Sequence, residues 1–150
     1  MRRKVLISLL LVSVILSMPI AYAISDHNSA EYMHVYHMTI KFQEENAEVS
    51  LYYNLDLFSS IYTLFLGSRN LEQTFENFLY EFDSIEIKEI GRNYAIINVY
   101  DISREADQYY LHDSKKLAAP VDVLTIIYPN GAQRAHNDVD ATPNIFYSKA

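Results

Sequence analysis

Cysteine is missing from all 150 residues, which rules out disulfides, thiolate metal ligands and a lipid-bearing cysteine behind a leader. Only three glycines are present. None of the glycine-built phosphate or nucleophile motifs, G-x-x-x-x-G-K, G-x-G-x-x-G or G-x-S-x-G, can be written with them. H-E-x-x-H is absent too, and no cofactor is implied. Basic residues are few, with 12 Lys and Arg against 19 Asp and Glu, for a formal net charge of −7. Nucleic acid is excluded as a partner, because gripping a phosphate backbone takes a basic stripe. The same balance disfavours adsorption to anionic lipid. Tryptophan is also lacking, whereas tyrosine occurs 13 times. Tyrosine is an amphipathic contact residue at home in sheets and at interfaces.

Residues 1–23 read as a signal peptide. Arg2, Arg3 and Lys4 precede an apolar run from Val5 to Leu16, Pro19 breaks it, and Ala21-Tyr22-Ala23 supplies the small residues of a cleavage site. The competing reading is an uncleaved anchor, since no charge occurs between Lys4 and Asp26. On either reading the remainder, residues 24–150, is expected to be one exported domain, secreted or extracytoplasmic, touching membrane only through that segment. Without the three leader cations it is more acidic still.

After a polar lead-in at 24–30 the pattern alternates with period two. Tyr32, His34, Tyr36, Met38, Ile40 and Phe42 fall on one side, and Met33, Val35, His37, Thr39 and Lys41 on the other. A second alternating run carries Ala47, Val49, Leu51, Tyr53, Leu55 and Leu57 inward. With residues 43–46 as a hairpin loop, Phe42 faces Ala47, Ile40 faces Val49, Met38 faces Leu51, Tyr36 faces Tyr53 and His34 faces Leu55. On the reverse face Lys41 meets Glu48, Thr39 meets Ser50 and His37 meets Tyr52, pairings that cross-strand contacts favour. This register separates His34 and His37: one points into the core, the other to the outer face, so they hold no common metal. Met33, Val35, His37 and Tyr52 form the outer end of the hairpin and are the candidate binding surface.

Leu71, Phe75, Phe78, Leu79 and Phe82 fall at helical spacing, with Glu72, Glu76, Asn77 and Glu81 opposite. They predict a long amphipathic helix capped by Ser68 or Asn70, with Gln73 as capping-box partner of Asn70. A short helix carrying Ile61, Leu64 and Phe65 is expected before it, ending at Gly67. A second hairpin turns at Gly91-Arg92-Asn93 and sets Ile90 opposite Tyr94, Ile87 opposite Ile97 and Ile85 opposite Val99. Residues 103–108 read as a loop. A strand follows over 120–129, turning at Asn130-Gly131, with 132–136 returning beside it. Residues 137–144 read as irregular, and 145–148 as a closing edge strand. The resulting fold class is α+β: a mostly antiparallel sheet of about six or seven strands with the long helix packed on one face.

Chemistry is sparse. His112, Asp113 and Ser114 are contiguous and read as a polar turn, since catalytic triads are assembled in space from separated positions. Asn137, Asp138 and Asp140, with His136 nearby, are the candidate for a weak cation site. Asp138, Asp140 and Thr142 have the spacing that opens a calcium loop, but Pro143 stands where glycine belongs and Lys149 where a bidentate glutamate belongs. The leading expectation is an exported non-catalytic binding or assembly domain whose partner is a protein or envelope component. The alternatives are a secreted hydrolase using dispersed residues such as His112 or His136, and a cation-dependent surface module.

Overall fold

The computed structural model describes residues 33–55 and 69–149. The leader, the lead-in at 24–30, the first short helix and the Ser68 cap lie outside the described residues. In chain order the elements are β1 (Met33–Gln43), β2 (Asn46–Leu55), α1 (Arg69–Phe78), β3 (Ser84–Ile90), β4 (Tyr94–Tyr100), β5 (Arg104–Ala106), β6 (Tyr109–His112), β7 (Lys116–Ile127), β8 (Gln133–Ala141) and β9 (Ile145–Ser148). Six strands form a sheet in the order β3-β4-β2-β1-β7-β8, and three form a smaller sheet, β5-β6-β9. Every neighbouring pair is antiparallel except β1 with β7.

This corrects the α+β expectation. The chain is mostly β, and its described helix is a single short one of 10 residues. The apolar stripe is buried as its spacing implies: Leu71, Phe75, Phe78, Leu79 and Phe82 all enter the core. The helix ends at Phe78, however, closed by Leu79 N donating to Phe75 O at 3.0 Å. Phe82 N then donates to Leu79 O at 2.8 Å, a tighter turn that ends the helix while still delivering Phe82 to the core. Asn70 lies inside the helix and is not its cap. Gln73 instead bonds Asn77 one turn on, at 3.3 Å.

Strand content exceeds the expectation because two segments read as loops are paired. Residues 104–106 form β5, and residues 137–141 continue β8 alongside β7. Both contain polar runs whose strand state comes from a neighbour's ladder and not from their own pattern.

The first hairpin keeps its expected register from Phe42–Ala47 to His37–Tyr52 and then departs from it. Val35 pairs with Tyr53, Met33 with Leu55 and His34 with Asn54. Tyr36 is the extra residue of a β-bulge, which reverses the alternation beyond it. Met33 and Val35 are therefore core residues, at 3% and 1% exposure, while His34 is exposed. The physical reason is simple: strict alternation would have buried a histidine and exposed two apolar side chains. In the second hairpin Ile85–Val99 and Ile87–Ile97 pair as expected, but a bulge at Lys88 moves Ile90 from Tyr94 to Ala95.

The core lies against one face of the large sheet. At one end α1 covers it, with Phe75 edge-on to the buried Tyr53 at 5.3 Å between ring centroids. At the other end the small sheet covers it: Phe42 packs between His112, at 5.2 Å, and Tyr147, at 5.1 Å. The β1–β2 turn is clasped by three consecutive residues. Glu44 O accepts from the Tyr147 hydroxyl, Glu45 O from Ser103 N, and Asn46 Oδ1 from Asp101 N.

Candidate functional site

The opposite face of the large sheet is covered by no described element. Register assembles it in rows. One row runs Tyr94, Tyr52, His37, Val123, Asn137 from β4 to β8; the next runs Glu89, Ile96, Ser50, Thr39, Thr125, Ala135 from β3 to β8. A third holds Glu86, Asn98, Glu48, Lys41, Ile127 and Gln133. Small hydroxyl side chains at its centre keep the surface flat, and aromatic rings collect at one end.

That end is organised by the bulge. Tyr36 and His37 both lean on Tyr52, with ring centroids 6.4 Å and 6.1 Å away. His37 Nε2 lies 3.0 Å from Thr125 Oγ1 on β7, which fixes the imidazole. His34 is 2.9 Å from Asp122 Oδ1, also on β7, with both side chains largely in solvent; such an exposed pair contributes little. The two histidines thus have separate partners. The expectation that His34 points to the core is overturned by the bulge.

The bulge continues beyond β1. Tyr36 falls beside Asp122, and Asp122 faces Asp138, since Val121–Val139 and Val123–Asn137 pair on either side. Asp138 has φ 51°, a left-handed value that Asp tolerates better than most residues.

Polar edges frame the face. Lys88 of β3 reaches Glu48 of β2 at 3.7 Å, and the Tyr100 hydroxyl donates to Glu86 at 2.5 Å. The Tyr94 hydroxyl donates to Glu89, which raises the Tyr94 pKa through that hydrogen bond and the nearby negative charge.

Of the residues expected to form a binding surface, His37 and Tyr52 lie together on this face, and Met33 and Val35 do not. Sequence reasoning missed Tyr36, Tyr94, Ile96 and Val123. Only Tyr36 carried a local signal, because Met33, Val35, Met38, Ile40 and Phe42 form an apolar series with one three-residue step in it.

The chemical candidates are dispersed. His112 is buried, with Nδ1 3.0 Å from Ile102 O and Nε2 2.9 Å from Thr142 Oγ1. Donation by Nδ1 to the carbonyl makes Nε2 the acceptor, the neutral tautomer. Burial, then the charge of Lys115, pushes its pKa down, against opposing contributions from the Ile102 hydrogen bond and Asp113. It touches no carboxylate and serves as a strut between the small sheet and Phe42. His136 stands opposite Leu124, its Nε2 buried without a hydrogen-bond partner. Asn137, Asp138 and Asp140 sit exposed along β8, and among the described residues no three His, Cys, Asp or Glu converge as a metal group. No helix among the described residues is long and apolar enough to cross a membrane.

Comparison with protein-family models, curated proteins and solved structures finds no match to this chain. The functional reading therefore rests on the residues themselves.

Proposed function

We propose that this chain is an extracytoplasmic binding or assembly module, and that the outer face of its six-stranded sheet is the contact surface. One observation carries the reading: α1 and the small sheet cover one side of the sheet, while the other presents Tyr36, Tyr52, Tyr94, Ile96, Val123 and Ile127 with no described element over them. A flat face with aromatic rings gathered at one end and charge along its edges is what a protein contact surface offers. The signal-like residues 1–23 support placing the module outside the cytoplasm.

The test is site-specific photo-crosslinking in the native envelope. A photoreactive side chain in place of Tyr52 should yield a discrete heavier adduct, whereas one in place of Glu72, exposed on α1, should not. Monomer alone from both positions, or the same adducts from both, refutes the proposal.

A further inference from the structure

A second surface lies on the small sheet, independent of the outer face. β9 pairs with β6 along one side only, so among the described residues its other side is a free edge. Lys149 N donates to Gln108 O at 3.0 Å, which extends the β6–β9 ladder by one step. Antiparallel alternation then directs the N–H and C=O of Tyr147 and Ile145 toward β6, and those of Phe146 and Ser148 toward the free edge. Along that edge runs a cavity of about 500 Å³ between β9 and the tip of the β7–β8 hairpin, within the range of ligand-holding clefts.

The chemistry of the cleft is specific. Phe146 is 71% exposed, the most exposed large apolar side chain among the described residues, and it stands edge-on to Tyr109 at 6.4 Å. Arg134 and Lys149 line the cleft, and no carboxylate does, in a chain where acids outnumber bases. Lys149 is paired with Glu105 outside the cleft, but Arg134 has no ion pair among the described residues. A free backbone edge, an exposed aromatic anchor and an unpaired guanidinium occur together.

We infer that the β9 edge accepts a short, extended, acidic segment of a partner polypeptide as an added strand, with Arg134 binding its carboxylate and Phe146 packing on alternate side chains. Main-chain pairing supplies the affinity, and the charge and ring supply selectivity. Pro143 and Lys149 bracket the strand, and such residues discourage indiscriminate edge pairing. They confine the added strand to about four residues, the length of β9.

The test titrates the purified full chain into two fluorescein-labelled pentapeptides, one alternating Glu and Val, the other alternating Lys and Val, and reads anisotropy. Saturable binding of the acidic peptide alone is expected below about 1 mM, a range suited to a short edge contact. R134E should weaken it by about tenfold or more, the loss of one charge-assisted bond. S148P should do likewise, because it removes an outward N–H while leaving the β6 ladder intact. Circular dichroism checks that each variant folds; if S148P does not, hydrogen exchange on the unsubstituted chain decides, with Phe146 and Ser148 amides gaining protection when the acidic peptide is added. Absence of saturable binding, equal binding of both peptides, unchanged binding in R134E, or unprotected edge amides overturns the inference. A concentration-dependent dimer that forms without peptide and excludes it also overturns it, since the edge would then belong to a second copy of the chain.

Discussion

Replacing Tyr147 by Phe tests whether the small sheet is fastened to the first hairpin by one hydroxyl. Tyr147 is buried, its Oη donates to Glu44 O in the β1–β2 turn, and Ser103 Oγ lies 2.9 Å away. A phenol has one proton, so the Ser103 hydroxyl donates to the phenol oxygen in turn. Burial pushes the Tyr147 pKa up, against a lowering by Ser103, so the phenol stays neutral and both bonds persist at ordinary pH. Tyr147→Phe keeps the ring contacts with Phe42 and Tyr110 and deletes only oxygen. It strands the buried Ser103 hydroxyl, at about 1–3 kcal/mol for a buried group left unsatisfied, and frees the carbonyl of Glu44, an exposed turn residue, to turn to water.

We expect a loss of about 2 kcal/mol, read by urea unfolding as a lower midpoint at unchanged slope. The corresponding drop in Tm is about 4–8 °C at this chain length. Ser103→Ala leaves the bond to Glu44 in place and should cost about 1 kcal/mol or less, and the double variant should be less destabilised than the sum of the two. A Tyr147→Phe loss under about 0.5 kcal/mol, or strict additivity with Ser103→Ala, refutes the fastening. A reduced slope would mean that the two sheets unfold separately, which also contradicts it.

Three more outcomes follow from other positions. A Cβ on Gly91 would run into the Tyr94 ring, the partly exposed end of a flexible side chain that can swing aside, so Gly91→Ala should cost about 1 kcal/mol or less in unfolding experiments; it should also disturb Tyr53, whose hydroxyl donates to Gly91 O at 2.9 Å and whose pKa is pushed up to about 12 by burial. Glu44 holds φ 54°, and Glu44→Asn, which suits a left-handed turn, should stabilise by about 0.5–1 kcal/mol, seen as a higher unfolding midpoint. His112 has a lowered pKa in the folded state, so the unfolded chain binds the proton more readily and stability falls as pH drops below about 6.5 toward the folded value. Measured from pH 7.5 downward, His112→Gln should flatten that decline; an unchanged slope would refute the assignment.

Local patterns carried much of the fold. The run from Met38 to Leu51 declared its own register, because a slip by one residue would have put Lys41 and Glu48 inside and exposed Ile40 and Val49. The Asn130-Gly131 turn reads directly from its residue types, and Gly131 does hold φ 83°. The stripe from Leu71 to Phe82 correctly marked what is buried, yet spacing alone could not say where helical bonding gives way to a turn. The bulge at Tyr36 was hidden for a different reason. A histidine among aromatics is an acceptable core residue in a period-two reading, so nothing forced the phase to change until neighbouring strands required Met33 and Val35 inside.

The outer face illustrates the limit more sharply. His37 and Tyr52 were found because they belong to one hairpin, in which a local turn dictates who faces whom. Val123 lies beside His37 through a parallel pairing of β1 with β7, and parallel strands meet only across long connections. Tyr94 reaches the same row through β4, after the helix and another hairpin. Such neighbours have no signature in either segment alone, since the long loop entropy that brings them together is offset by burial on the other side of the sheet. It follows that the surface is a by-product of core packing as much as of its own residues: burying Val121, Leu124 and Ile126 places Val123 and Thr125 outward beside His37 whether or not they bind anything. Substitution of outward residues separates the two. Val123→Lys leaves the core contacts in place and should keep the unfolding midpoint within about 0.5 kcal/mol of the parent chain, while abolishing any adduct formed at position 52. A lost adduct with unchanged stability assigns the face to a partner; a retained adduct places the contact elsewhere.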